Sequence, residues 1–95
     1  MGLTFWNKLA NPETQAQEVL YLLIKHDKLS RSDFMNKAMV LNAPANIMAL
    51  RKIGVEINTL EEKTTNKFGR DVSYGVYELV DSSKAREIYK KMQKK

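Results

Sequence analysis

The sequence predicts an α+β fold: three short helices, a two-stranded β-hairpin and one further helix. Three observations carry this prediction. Apolar residues recur at helical spacing in three stretches before Gly54. After Gly54 the pattern changes to strict alternation, with Val55 and Ile57 set against Glu56 and Asn58. The stretch "SYGVYELV" is then a second strand candidate, rich in aromatic and β-branched residues.

In chain order, "MGLTFWNKLA" places Phe5 four residues before Leu9 and Trp6 four before Ala10. That spacing suits a short amphipathic helix packing on the domain or on a second copy. Asn11-Pro12-Glu13 reads as a helix start: a cap, a proline at the first helical position and an acid in the first turn. Ala16, Val19, Leu20, Leu23 and Ile24 then form one face of a helix over residues 12–26. Ser30 with Asp33 resembles a capping box with the shorter acid, and Phe34, Met35 and Ala38 face inward on a helix over 31–39. Leu29, just before that cap, either packs back or forms a one-residue bridge to the sheet. Asn42 caps the third helix, over 44–53, whose first turn tolerates Pro44. Ile47, Leu50 and Ile53 are its expected buried stripe, and Gly54 sits where a left-handed C-cap is wanted. The polar run "EEKTTNKFGRD" joins the two strands through a loop around 66–71. Ser82 or Ser83 caps a last helix with Ala85, Ile88, Tyr89 and Met92 on one face.

Helix, helix, helix, strand, strand, helix is the order of a winged helix-turn-helix with an extra C-terminal helix. Ninety-five residues make one domain. The expected division is an N-terminal extension over 1–11, the winged helix-turn-helix over 12–80 and a basic C-terminal helix over 81–95.

Composition narrows the function. The chain has no cysteine and one histidine, His26. A disulfide framework and a thiolate zinc site are excluded, and a metal or other cofactor is not expected. No apolar run approaches the roughly 20 residues needed to cross a bilayer, so no membrane role is expected. The expected location is the cytoplasm of a bacterial or phage-infected cell. The dispersed glycines and unpaired carboxylates assemble no catalytic cluster, so no enzymatic activity is expected. The net charge is +5. Residues 84–95 hold six Lys/Arg against one Asp/Glu, so the tail supplies the excess while the middle of the chain is near neutral. A basic chain favours a polyanionic partner.

Three groups of residues are candidates for contact with double-stranded DNA. On the third helix, an inward Ile47 and Leu50 leave Ala45, Asn46, Ala49 and Lys52 outward, with Arg51 near the helix end. Small residues let a helix enter the major groove deeply, and Asn pairs with adenine. The plainer reading is a helix whose outer face meets water or another protein. Ser30, Arg31 and Ser32 open the preceding helix, where hydroxyls and amides can hold a phosphate; ordinary capping is the alternative. In the wing loop, Lys67 and Arg70 flank Phe68-Gly69 and can reach the backbone or minor groove, although Glu61, Glu62 and Asp71 lie near. Phe68 either folds back on the sheet or makes an exposed apolar contact. Lys84, Lys91 and Lys95 add a basic face to the last helix.

The stretches "TQAQEVLYLLIKHDKLSRSDF", "APANIMALRKIGVEINT", "NKFGR" and "YEL" resemble the small helix-turn-helix proteins encoded by bacteriophages and prophages. The resemblance covers residues 14–80 and implies a winged-helix fold, DNA binding and no catalysis. It implies that Asn46 and Ala49 lie on the outer face of the reading helix, Arg51 and Lys52 near its end, and Lys67 and Arg70 beside the wing turn. Asn46 stands where a basic residue is common in such proteins.

The expected function is sequence-specific DNA binding by a phage or mobile-element transcription regulator. A homodimer through the N-terminal extension or the C-terminal helix would read two half-sites. Two alternatives are open. One is a protein-binding winged-helix adaptor or inhibitor of a host or phage machine, using exposed Phe5, Trp6 and Phe68. The other is an excision-type architectural factor that bends its site.

Overall fold

A computed structural model describes residues 9–93. Phe5, Trp6, Lys94 and Lys95 lie outside the described residues. The elements run α1 (Gln15–His26), β1 (Lys28–Ser30), α2 (Arg31–Ala38), α3 (Ala43–Lys52), β2 (Ile57–Thr65), β3 (Asp71–Leu79) and α4 (Ser82–Met92). The three strands form one antiparallel sheet in the order β1-β3-β2.

The first helix starts later than its sequence suggests. Thr14 is the N-cap, its Oγ1 accepting from the Gln17 amide at 3.2 Å. Asn11 and Pro12 lie outside the helix, and the carbonyls of Ala10 and Asn11 accept instead from Tyr89 of α4 and from Gln93, its C-cap residue. Val19, Leu20, Leu23 and Ile24 are buried as their spacing requires.

Asp27 closes α1 with a positive φ of 67° and returns its amide to Leu23. The chain thereby enters β1, a three-residue strand rather than a single bridge, paired Leu29 to Tyr77. The sheet accordingly has three strands where the sequence indicated two.

Ser30 and Asp33 form the expected reciprocal capping box at the start of α2. That helix ends one residue early, at Ala38. Met39 takes a left-handed conformation, with φ 55°, and its amide returns to Met35. Phe34 is wholly buried, but Met35 is 40% exposed and does not join the core.

Asn42 caps α3 and Pro44 sits in its first turn. The buried line of this helix is Ala43, Ile47 and Leu50. Ile53 is 51% exposed. It is the C-cap residue, so the helical periodicity that would turn it inward has already ended. The inward course continues through Gly54, whose φ of +105° suits glycine and where an added Cβ would meet Ile88 of α4 at 3.7 Å.

The wing is longer than its polar sequence implies. β2 and β3 pair continuously from Ile57↔Leu79 to Thr65↔Asp71, leaving only residues 66–70 as the turn. Ladder hydrogen bonds do not depend on side-chain polarity, so the charged run "EEKTT" extends as strand wherever a partner strand exists.

Asp81, not Ser82 or Ser83, caps α4 by accepting from the Lys84 amide at 3.1 Å. Ala85 and Tyr89 of α4 belong to the same core cluster as α1 and α3. The helix is bound to the N-terminal segment at its far end. The Tyr89 hydroxyl donates to the Ala10 carbonyl at 2.6 Å. Buried Gln17 donates to the Met92 carbonyl and accepts from the Glu13 amide and the Gln93 side chain. Burial raises the Tyr89 phenol above its ordinary pKa, because a phenolate there would be desolvated.

Candidate nucleic-acid interface

The helix-turn-helix portion is α2, the segment 39–42 and α3. Burial of Ala43, Ile47 and Leu50 fixes the rotation of α3. Among its exposed residues, Ala45, Met48, Ala49 and Lys52 fall at the i, i+3, i+4, i+7 positions of one stripe. Met48 is 61% exposed. Sequence reasoning passed over it, although its spacing from Ala45 and Lys52 identifies it on the same face.

Asn46 is turned aside from that stripe. Its Nδ2 donates to Gln15 Oε1 on α1 at 2.9 Å and to the Asn42 carbonyl at 3.1 Å. Arg51 is likewise engaged within the chain. Its guanidinium donates to the Ile57 carbonyl through Nε and Nη2, at 3.1 and 2.6 Å, and to Thr59 Oγ1 at 2.9 Å. It therefore braces the end of α3 against the first residues of β2.

Ser30, Arg31 and Ser32 line an open groove between α2 and the flank of the wing, which contributes Thr64, Ser73, Tyr74 and Gly75. The start of α2 and the hairpin are thus brought together. The strand residues that complete this groove carried no sequence signal, since only the register and the docking of α2 place them there. Arg31 and Ser32 are exposed, whereas the Ser30 hydroxyl is held by its capping bonds to Asp33.

The wing turn is built on Asn66. Its Oδ1 accepts from the Phe68 and Arg70 amides at 2.9 and 3.0 Å, and its backbone bonds to Arg70 and Gly69. Gly69 has φ +86°. Lys67, Phe68 and Arg70 are all exposed. Phe68 does not fold back on the sheet: it is 83% exposed, with the Lys67 ammonium 5.4 Å from its ring centre.

One acidic residue of the wing, Glu62, is partly neutralised. Glu62 pairs with Lys28 of β1 at 3.1 Å and accepts from Tyr74. The Glu62 hydrogen bond and charge raise the Lys28 pKa above its ordinary value.

Among the described residues, no group of three or more His, Cys, Asp or Glu side chains could hold a metal ion. None of the described helices is long and apolar enough to cross a membrane.

Three helices that include a helix-turn-helix, followed by a long hairpin wing, define a winged helix-turn-helix. A family model described as "Winged helix-turn-helix domain" matches residues 14–82, and the chain belongs to that family. Nothing among curated proteins or solved structures matches it.

Proposed function

We propose that this protein binds double-stranded DNA sequence-specifically and serves as a transcription regulator of a phage or mobile element. The observation that carries the reading is the uncovered stripe of α3. Ala45, Met48, Ala49 and Lys52 face solvent along a helix that the core holds rigidly. Small and flexible side chains let such a helix approach base edges closely, and Ala and Met supply apolar contact to thymine methyl groups. Lys52, Lys67 and Arg70 are the cations for phosphates, and the groove at Ser30, Arg31 and Ser32 offers hydroxyls and a guanidinium to a backbone strand. Asn46 reads a base only by releasing Gln15, so it contributes less than Met48 and Ala49.

Phage origin is supported by the residue resemblance in the helix-turn-helix and wing. A homodimer reading paired half-sites forms through the N-terminal extension or the C-terminal helix in this proposal.

Titration of duplex DNA at low and moderate salt tests the reading. Binding that weakens steeply with salt is expected. Folded protein that binds at neither salt concentration rules it out. The Lys67→Ala/Arg70→Ala variant separates it from the second reading, a protein-binding adaptor. That reading is favoured by the exposed Met39 and Leu41 in the turn between α2 and α3. A regulator loses DNA affinity and about two units of salt slope in this variant, whereas an adaptor loses neither.

A further inference from the structure

We propose that Phe68 is a wedge: its ring enters the minor groove of duplex DNA, unstacks one base step and bends the duplex. This rests on the DNA-binding reading above and deepens it at the wing.

Four observations converge on the tip. First, among the described residues Phe68 is the most exposed of the large apolar side chains, at 83%. An aromatic ring left in water is unfavourable, and no apolar part of the described fold covers it; the Lys67 ammonium alone stands 5.4 Å from its centre.

Second, the turn presenting it is preorganised. Asn66 Oδ1 holds the amides of Phe68 and Arg70, the Asn66 amide bonds to the Arg70 carbonyl, and the Gly69 amide to the Asn66 carbonyl. The ring is therefore delivered without the entropy cost of ordering a loop.

Third, the tip projects. Beyond the last core-level pair, Leu60↔Val76, five register pairs run to Thr65↔Asp71. At about 3.3 Å per residue the turn stands roughly 17 Å along the hairpin from that level, a reach comparable with the width of a DNA groove and its flanking backbone.

Fourth, the ring is flanked by charge of the correct sign. Lys67 and Arg70 sit on either side, and Lys63 lies on the approaching strand. Apolar side chains that insert between base pairs are flanked by cations for this reason: the cations hold the phosphates of the opened step while the ring replaces the lost stacking. A protein pocket for a lone Phe would not require cations on both sides. A flexible pyrimidine–purine step is the expected point of entry, because it unstacks most readily.

Relaxation of a closed circular plasmid by topoisomerase, in the presence of the full chain at low salt, tests the wedge without knowledge of the target sequence. Wild-type protein is expected to shift the topoisomer distribution. Phe68→Ala should remain folded with an unchanged unfolding midpoint, since the ring supports nothing in the core. It should bind several-fold more weakly with the wild-type salt slope, and should shift no topoisomers. Phe68→Leu, which keeps an apolar wedge, should retain part of the shift. Lys67→Ala/Arg70→Ala should instead lower the salt slope by about two. A shift that survives Phe68→Ala overturns the wedge, as does wild-type binding with no shift; either result leaves DNA binding intact and assigns Phe68 to a protein surface. Absence of wild-type binding overturns the wedge and the DNA reading together.

Discussion

Arg51 at the end of α3 donates to Thr59 Oγ1 in β2 at 2.9 Å while its fork grips the Ile57 carbonyl. One side chain thus connects the helix proposed to enter the major groove to the first strand of the wing. The guanidinium acts as a brace between α3 and the wing. Arg51→Lys keeps the charge but loses the planar fork. Arg51→Lys and Arg51→Met should both lower the unfolding free energy by about 1 kcal/mol, the bonds being partly solvated. If Arg51 acts by orienting the wing, adding Lys67→Ala/Arg70→Ala to Arg51→Met should cost less DNA affinity than the same change in wild type. Independent phosphate contacts would give additive losses in that double-mutant cycle.

Gln17 is the buried polar residue that joins the start of α1 to the end of α4, with three partners in Glu13, Met92 and Gln93. Gln17→Leu strands the Glu13 amide and the Met92 carbonyl in a partly dry site. Urea unfolding should show a loss of about 2 kcal/mol. An unchanged midpoint would mean that water replaces the side chain at no cost.

Tyr89 gives the fold an alkaline limit. Its pKa is raised in the folded state, chiefly by burial and then by the neighbouring Tyr21. A raised folded-state pKa contributes stability that is fully present below the unfolded value of about 10 and is lost as pH rises through the folded value. Lys28, raised by Glu62, contributes in the same direction over a similar window. The thermal midpoint should therefore fall above about pH 10. Tyr89→Phe should lower stability near neutral pH by about 1 kcal/mol, through loss of the bond to Ala10, yet flatten the alkaline decline. An equally steep decline in Tyr89→Phe would remove Tyr89 as its cause.

The wing turn depends on Asn66 and Gly69. Gly69→Ala should cost about 1 kcal/mol, a torsional penalty alone, because no atom lies within 4 Å of the added Cβ. Gly69→Asn should cost less, since Asn tolerates positive φ better. Asn66→Ala should loosen the turn without affecting the core, visible as faster amide exchange at Phe68 and Arg70.

Much of this arrangement was legible before any coordinates. The capping box of Ser30 and Asp33, the cap at Asn42, the proline in the first turn of α3 and the glycine after it are local signals, readable because their partners lie within a few residues. What escaped reading depended on distant partners. Asn11-Pro12 is a sound helix start in isolation. Here the Asn11 carbonyl accepts from Gln93, the residue that ends α4, and Thr14 takes the cap instead. The strands extend through "EEKTT" because each lends the other a ladder. Asn46 reads as outward by spacing and Arg51 as lying near the helix end, yet their hydrogen-bonding groups find Gln15 and Thr59, which are 31 and 8 residues away.

The sequence by itself determined the succession of four helices and the β2–β3 hairpin, the caps of α2 and α3, and the core-facing lines through Val19, Leu20, Leu23 and Ile24 of α1 and Ile47 and Leu50 of α3, because apolar periodicity and local hydrogen bonding are encoded within a turn or two of chain. Tertiary structure alone decided which polar side chains remain available for a partner. The side chains of Asn46 and Arg51 are hydrogen-bonded to groups of their own chain while those of Met48 and Phe68 have no such tie, since availability depends on what the rest of the fold brings within hydrogen-bonding or van der Waals reach.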